Sequence, residues 1–391
     1  MELTSNPQRL HGMDALRAVA MLAGIFLHGT ISYKVRHDPL TWPSDPVFHR
    51  LWYDYLYLWI HSFRMQLFYL VAGFFARFLY HKIGEKPFIR HRIRRILIPF
   101  ILSLIFLLPF SLAPFLYYRF MNDPHPFHQV LVHLMHWNGM AHFWFLYYLL
   151  ILYAIMLLLI HLVPSGWRDW LLARSRVMDL SRPLQVLLLA IPVTAILFLF
   201  RTPMVEVYTG IFPKAPFLLY YGFFFAMGWM LHVQMDRLLD TGRLAWPFLI
   251  SGTLLTWPIL TLIYNHPSQQ LRIGEVYGFA VRALGGLQTI LLVFGTLGLF
   301  MRFFREESRT MRYLSDSSYW LYLIHMGLIV SAQILLFNSG VPGPLRFWIV
   351  MTVSLGLSFA SYEWLIRYTL VGEMLHGKRK RRPRTGLKTV P

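Results

Sequence analysis

Not one of the 391 residues is cysteine, and only 14% carry a charge. The first absence excludes disulfide staples, thiolate catalysis and cysteine-ligated metal. The second excludes an ordinary water-facing surface. Acidic residues are the scarcest charged class: 18 Asp and Glu stand against 37 Lys and Arg, a formal net charge of +19. No nucleic-acid-binding pattern accompanies this excess, so a nucleic-acid partner is not expected. The amino terminus also lacks a basic stretch, short apolar core and small-residue cleavage site, so its first apolar run is expected to be retained.

What fills the chain is hydrocarbon. Hydrophobic residues make up 56% and mean hydropathy is +0.48. Apolar runs fit to cross about 30 Å of lipid recur at 13–33, 53–80, 96–118, 142–163, 185–201, 216–233, 244–264, 277–300, 319–337 and 347–371. The expected fold is all-α, a polytopic membrane protein of about ten transmembrane helices. Most Lys and Arg fall in alternate connections, including Arg9, Lys82 to Arg95, Arg168 to Arg182, Arg237, Arg243, Arg302 to Arg312 and the tail from Lys378. Positive connections stay inside, which puts both termini in the cytoplasm and explains most of the net charge. One membrane domain, 1–375, and a basic cytoplasmic tail, 376–391, are the simplest division, with the bilayer as the first partner. The stretch Lys378 to Arg384 would be drawn to an anionic inner leaflet. No internal repeat is evident, which disfavours transporters built from paired halves.

Ionisable residues within spans stand out, because a membrane interior admits them chiefly for a pathway or a reaction. Arg17 precedes His28 by eleven residues; at about 100° and 1.5 Å per residue the two share a helix face about 16 Å apart. Asp14 joins that stripe and can pair with Arg17, and Gly24 opens room one turn before His28. In the second run His61 and Arg64 share a face. Arg64 is either a structural cation held by carbonyls or Asp14, or an anion-binding group. Ala72-Gly73-Phe74 allows close helix approach. Arg92 and Arg95 stand one turn apart at an expected helix start, which suits phosphate capture, although topology alone also explains them. Arg282 is a further intramembrane cation, and Glu363 with Arg367 reads as a structural i, i+4 pair. His142 and His325 open the fourth run and lie in the ninth. A lone histidine of this kind is ordinarily structural, and only the company of Arg17 and Asp14 lifts His28 above that. His125, His128, His133 and His136 share an outer connection without an acidic neighbour, so a half-buried interfacial helix is expected there rather than metal.

Taken in order, Asp14-Ala-Leu-Arg17 with His28, the Gly-Phe end of the second run, Arg92-x-x-Arg95 with Pro99, His142-Phe-Trp-Phe-Leu146 and Ser318-Tyr-Trp-Leu-Tyr-Leu-Ile-His325 resemble the acyltransferase 3 family of integral membrane acyltransferases, from about residue 9 to 370. The stretch Phe63-Arg-Met-Gln66 resembles a branch associated with succinylation of periplasmic glucans. The resemblance implies a stand-alone multi-pass enzyme of the bacterial inner membrane. It would move an acyl group, succinyl favoured and acetyl possible, from cytoplasmic acyl-CoA to a hydroxyl of an exported glycan. The donor is a substrate rather than a bound cofactor, and other glycan-biosynthesis proteins are conceivable partners. Arg17 and His28 match the family's cation-x10-His pair, and Arg92 and Arg95 its Arg-x-x-Arg element. The residues then take expected roles: His28, Arg17 and Asp14 catalytic; Arg92, Arg95, Arg64, His61, Arg282 and His325 binding donor or acceptor; none ligating metal. Without the ordered motifs, a secondary transporter or lipid-carrier flippase for an anionic substrate is the competing reading.

Overall fold

The computed structural model describes residues 11–36, 42–167, 182–200, 205, 207–234, 240–265 and 276–379. Arg9, Arg168, Arg174, Arg176, Arg201, Arg237, Arg272 and the tail beyond Arg379 lie outside the described residues. Among those described no strand forms; one antiparallel bridge, Gly139 to Gly210, is the whole of the extended pairing. The all-α expectation holds. Among the described residues, eight helices are long and apolar enough to cross a membrane. The runs expected at 53–80 and 185–201 have a different form: the first is two helices joined at a break, the second a single helix of 16 residues.

In chain order the elements are α1 (His11–Thr30), α2 (Leu51–His61), α3 (Arg64–Ile83), α4 (Glu85–Phe120), α5 (Pro126–Met135), α6 (Ala141–Leu162), α7 (Arg182–Leu197), α8 (Ala215–Val233), α9 (Ala245–Asn265), α10 (Val276–Phe303), α11 (Arg309–Leu336), α12 (Gly343–Ile366) and α13 (Leu370–His376). The backbone of α4 is helical throughout but contains two π-turns, Ile93–Leu97 and Ser103–Leu107.

Lipid offers no hydrophobic drive to bring these helices together, so close packing of small residues does that work. The seam between α3 and α8 shows it: a Cβ on Gly73 would strike the carbonyl of Phe225, and one on Gly228 the carbonyl of Leu70. The close approach expected at Gly73 is therefore made, with α8 as the partner. These two helices run parallel, since Gln66 meets Tyr220 near one end and Phe74 meets His232 further along. α1 and α11 are likewise parallel. Arg17 bonds Ser315 at one end and the Gly29 carbonyl accepts from Gln333 at the other.

Two ionic contacts pin the periphery. Asp45 and Arg346, both buried, pair at 3.1 Å, and Asp45 also accepts from the amides of Val47 and Phe48. The expected Glu363–Arg367 pair is formed, at 2.7 Å. On α5, Phe127, Leu131 and Met135 form one exposed apolar face at helical spacing, while His133 and His136 bond carbonyls of their own helix.

Candidate active site

The expected stripe lies on α1 and faces α11. At its basic end, which also carries Arg92 and Arg95, the Arg17 guanidinium donates to Ser315 Oγ at 2.7 Å and lies 3.7 Å from Asp14. Asp14 sits a further turn toward that end, so it can hold Arg17 but not reach His28. At the other end His28 stacks on Trp42 at 5.5 Å and faces His325 at 5.2 Å between ring centroids. His142 completes the group, 5.3 Å from His325. The chain turns into His142 through Ala141, whose φ of 43° lies in the sparsely populated left-handed region. Tyr322 then anchors the turn by donating to the His142 carbonyl at 2.7 Å.

Arg64 enters from the break between α2 and α3. Ser62 donates its hydroxyl back to the Leu58 carbonyl, Phe63 leaves helical geometry at φ −137°, and α3 restarts at Arg64. Gly24 of α1 makes room for the result, because a Cβ there would overlap Arg64 Nη1. Among the described residues Arg64 makes no hydrogen bond or ion pair, and its Nε is buried unpartnered. Neither structural partner foreseen for it, backbone carbonyl or Asp14, is taken. Its electrostatic neighbours are the phenols of Tyr221, Tyr322 and Tyr57. His61 lies beside it, stacked on Tyr57 and donating Nε2–H to the Val205 carbonyl at 2.8 Å. Beyond the spans, burial pulls the Lys34 ammonium below the ordinary lysine value, opposed by nearby Asp54.

Arg282 is not brought to this group. It is fully buried and donates to the carbonyls of Leu197, Phe200 and Gly278 at 3.3, 3.1 and 2.9 Å. The short α7 ends inside the protein, and carbonyls at its end and just beyond it take up this guanidinium, that of Leu197 accepting from the Phe200 amide as well. Arg282, expected among the substrate-binding residues, thus stands apart from the imidazoles and is held by backbone carbonyls.

Arg92 and Arg95 do not stand at a helix start. The helix begins at Glu85, and both lie at the first π-turn of the continuous α4, where backbone amides are already engaged. Any anion there meets guanidinium groups alone. Arg92 covers the rings of Phe88 and Tyr153, each at 4.9 Å, and its Nε is buried without a partner. Arg95 lies against Gly377, just beyond α13. Between the two ends runs a line of phenols: Tyr153 within electrostatic reach of Arg17 and Arg92, then Tyr319, then Tyr322 beside Arg64.

Sequence reasoning missed Trp42. Its indole N–H lies between Ser32 Oγ at 3.2 Å and Gln333 Oε1 at 3.1 Å, which fixes the ring flat against His28. It sits in a non-helical connection, where no periodic signal marks it. Among the described residues no group of three or more His, Asp or Glu side chains is arranged to hold a metal ion.

Helices fit to cross a membrane that gather three imidazoles and a guanidinium inside, with further arginines at one mouth, define a class: integral membrane proteins with a polar interior. The chain belongs to the acyltransferase 3 family, whose acyltransferase domain matches residues 10–363. Among curated proteins it is similar to glucans biosynthesis protein C of Salmonella paratyphi B, Salmonella dublin and Salmonella enteritidis. Each is 23% identical over 391 residues, covering 95% of both chains. No solved structure gives a significant match. The protein is a multi-pass membrane acyltransferase.

Proposed function

We propose that this acyltransferase takes its acyl group from an acyl-CoA at the basic, cytoplasmic end and delivers it to a carbohydrate hydroxyl arriving from the opposite end, across a bacterial inner membrane. The observation that carries this reading is Arg64: a cation in a membrane interior, beside His28, with no counter-charge among the described residues. Such a charge is expensive unless a substrate answers it.

Arg92, Arg95 and Arg17 would receive the anionic nucleotide end of the donor, and the phenol line from Tyr153 to Tyr322 would admit its thin arm. His28 then acts as general base, since an imidazole is matched to proton transfer near neutral pH. It takes the hydroxyl proton, the oxygen bonds to the thioester carbon, the C–S bond breaks, and the proton passes to the departing thiolate. Arg64 stabilises the developing oxyanion or the distal carboxylate of a dicarboxylic acyl group. A succinyl donor uses both possibilities, and the relatives' name points to a glucan acceptor; acetyl is the alternative donor. Asp14 and His61 hold Arg17 and the Arg64 region in place.

The test is turnover by purified protein with isotopically labelled succinyl-CoA or acetyl-CoA and a glucan acceptor. Free CoA and acylated glucan are expected, and His28→Ala abolishes both without loss of folding. Wild-type rates in that variant would overturn the assignment.

A further inference from the structure

The His28 ring poses a protonation problem that its surroundings answer. A neutral imidazole carries one N–H and one lone pair, and its partners decide which nitrogen holds which. Nδ1 of His28 is buried without a partner. His325, 2% exposed, places Nδ1 at 2.8 Å from the Tyr322 carbonyl and 3.2 Å from that of Leu321. Carbonyls only accept, so His325 Nδ1 carries the hydrogen and Nε2 the lone pair. That Nε2 is buried and unpartnered. His142 is locked in the opposite sense: Nε2–H donates to the Leu323 carbonyl at 3.2 Å, leaving Nδ1 bare and unpartnered. The two backbone-locked rings present lone pairs, not protons, to the interior.

We propose that His325 is the positioning residue for His28: its bare Nε2 and the His28 Nδ1–H, neither of which has a protein partner, are joined through one bridging water, which keeps the His28 Nε2 lone pair free for the acceptor hydroxyl. This rests on the functional reading above. His142 braces His325 from the side, with rings at 79°. In acyl transfer the hydroxyl proton enters at His28 Nε2 and leaves from it to the thiolate; the Nδ1 hydrogen stays in place throughout. A carboxylate usually fills this orienting role. Here a carboxylate would carry a buried charge and would neutralise Arg64, whereas an imidazole lone pair fixes the tautomer and leaves that cation free. Among the described residues, the groups facing His28 are Trp42, His61 of α2, Arg64 of α3, His142 of α6 and His325 of α11. None of these is acidic.

The first measurement needs no variant at His325. In substrate-free protein labelled with nitrogen-15 at histidine, the His28 signal, assigned by its loss in His28→Asn, should show Nδ1 protonated and Nε2 bare. A wild-type His28 protonated at Nε2 overturns the proposal. Two variants follow. His325→Gln places an amide oxygen near the lost Nε2, and His325→Asn does not reach. The Gln variant should keep the His28 tautomer and lie within about tenfold of wild-type kcat. The Asn variant should mix tautomers and lose about a hundredfold in kcat with donor KM unchanged. Equal losses in both, with an unaltered His28 spectrum, would also overturn it. Should wild-type turnover not depend on His28 at all, the functional reading falls, while the substrate-free spectrum still decides the tautomer.

Discussion

Gly24→Ala separates folding from chemistry at one atom. The new Cβ would occupy the position of Arg64 Nη1, and the obstacle is the far end of a flexible side chain, which can swing away. The fold therefore loses little: relief of glycine in a helix interior contributes about 0.5–1 kcal/mol, set against the repacking of one guanidinium. The reaction loses much more. Withdrawing one preorganised donor from an oxyanion costs about 10²–10³ in rate, or about 2.7–4 kcal/mol. Gly228→Ala is the control, because its Cβ meets the Leu70 carbonyl and so forces backbone apart; overpacking of that kind costs about 1–3 kcal/mol of stability. Thermal unfolding in detergent and labelled acyl-CoA turnover are to be read on both. Gly24→Ala is expected to melt within a few degrees of wild type, with kcat down about a hundredfold and KM unchanged for acetyl-CoA, whose acyl group has no carboxylate for Arg64 to hold. A folded Gly24→Ala protein with kcat within about threefold of wild type would show that Arg64 acts elsewhere or not at all.

Arg282→Met should lower the melting temperature, through the carbonyls it strands at the end of α7, and leave donor KM unaltered in whatever protein folds; a selective rise in KM would return Arg282 to the site. Arg346→Met leaves Asp45 charged and buried, at a cost of about 3–5 kcal/mol, so unfolding should shift markedly down and partly recover in the double variant with Asp45→Asn. Arg92→Ala should raise donor KM while kcat at saturation changes little, since it removes a binding contact remote from the reacting atoms; an unchanged KM would exclude Arg92 from donor capture. Trp42→Phe should retain part of the activity that Trp42→Ala loses, because the ring still stacks on His28 without bonding Ser32 or Gln333; equal rates in the two would deny the stack a role.

The α1 stripe was legible because helical periodicity within one segment sets which residues share a face, and Arg17 and His28 do both meet α11. Gly24 was legible as space, but its occupant, Arg64, comes from α3, forty positions further along the chain and beyond the reach of local spacing. The break at Ser62-Phe63 carries neither glycine nor proline, so the run from 53 to 80 reads as continuous. The Arg92–Arg95 region misled because its charges resemble the start of a span, whereas the helix extends back to Glu85. His142 and His325 were visible singly; only packing shows that the two rings meet each other and that His325 meets His28. Arg282 stood out for the reason buried cations do, and the carbonyls of Leu197 and Phe200 that it bonds lie 85 and 82 residues earlier in the chain, at and just past the end of α7.

A row of ionisable groups from one mouth of the bundle to the other endangers the membrane itself, because protons would follow it down their gradient. Trp42 bears on that hazard. Its ring lies flat on His28, and its N–H ties it to Ser32 and to Gln333, which in turn holds the Gly29 carbonyl. An indole N–H donates but has no lone pair to accept with, so the stack places at the far end of the stripe a ring that cannot relay a proton as a hydroxyl or imidazole can.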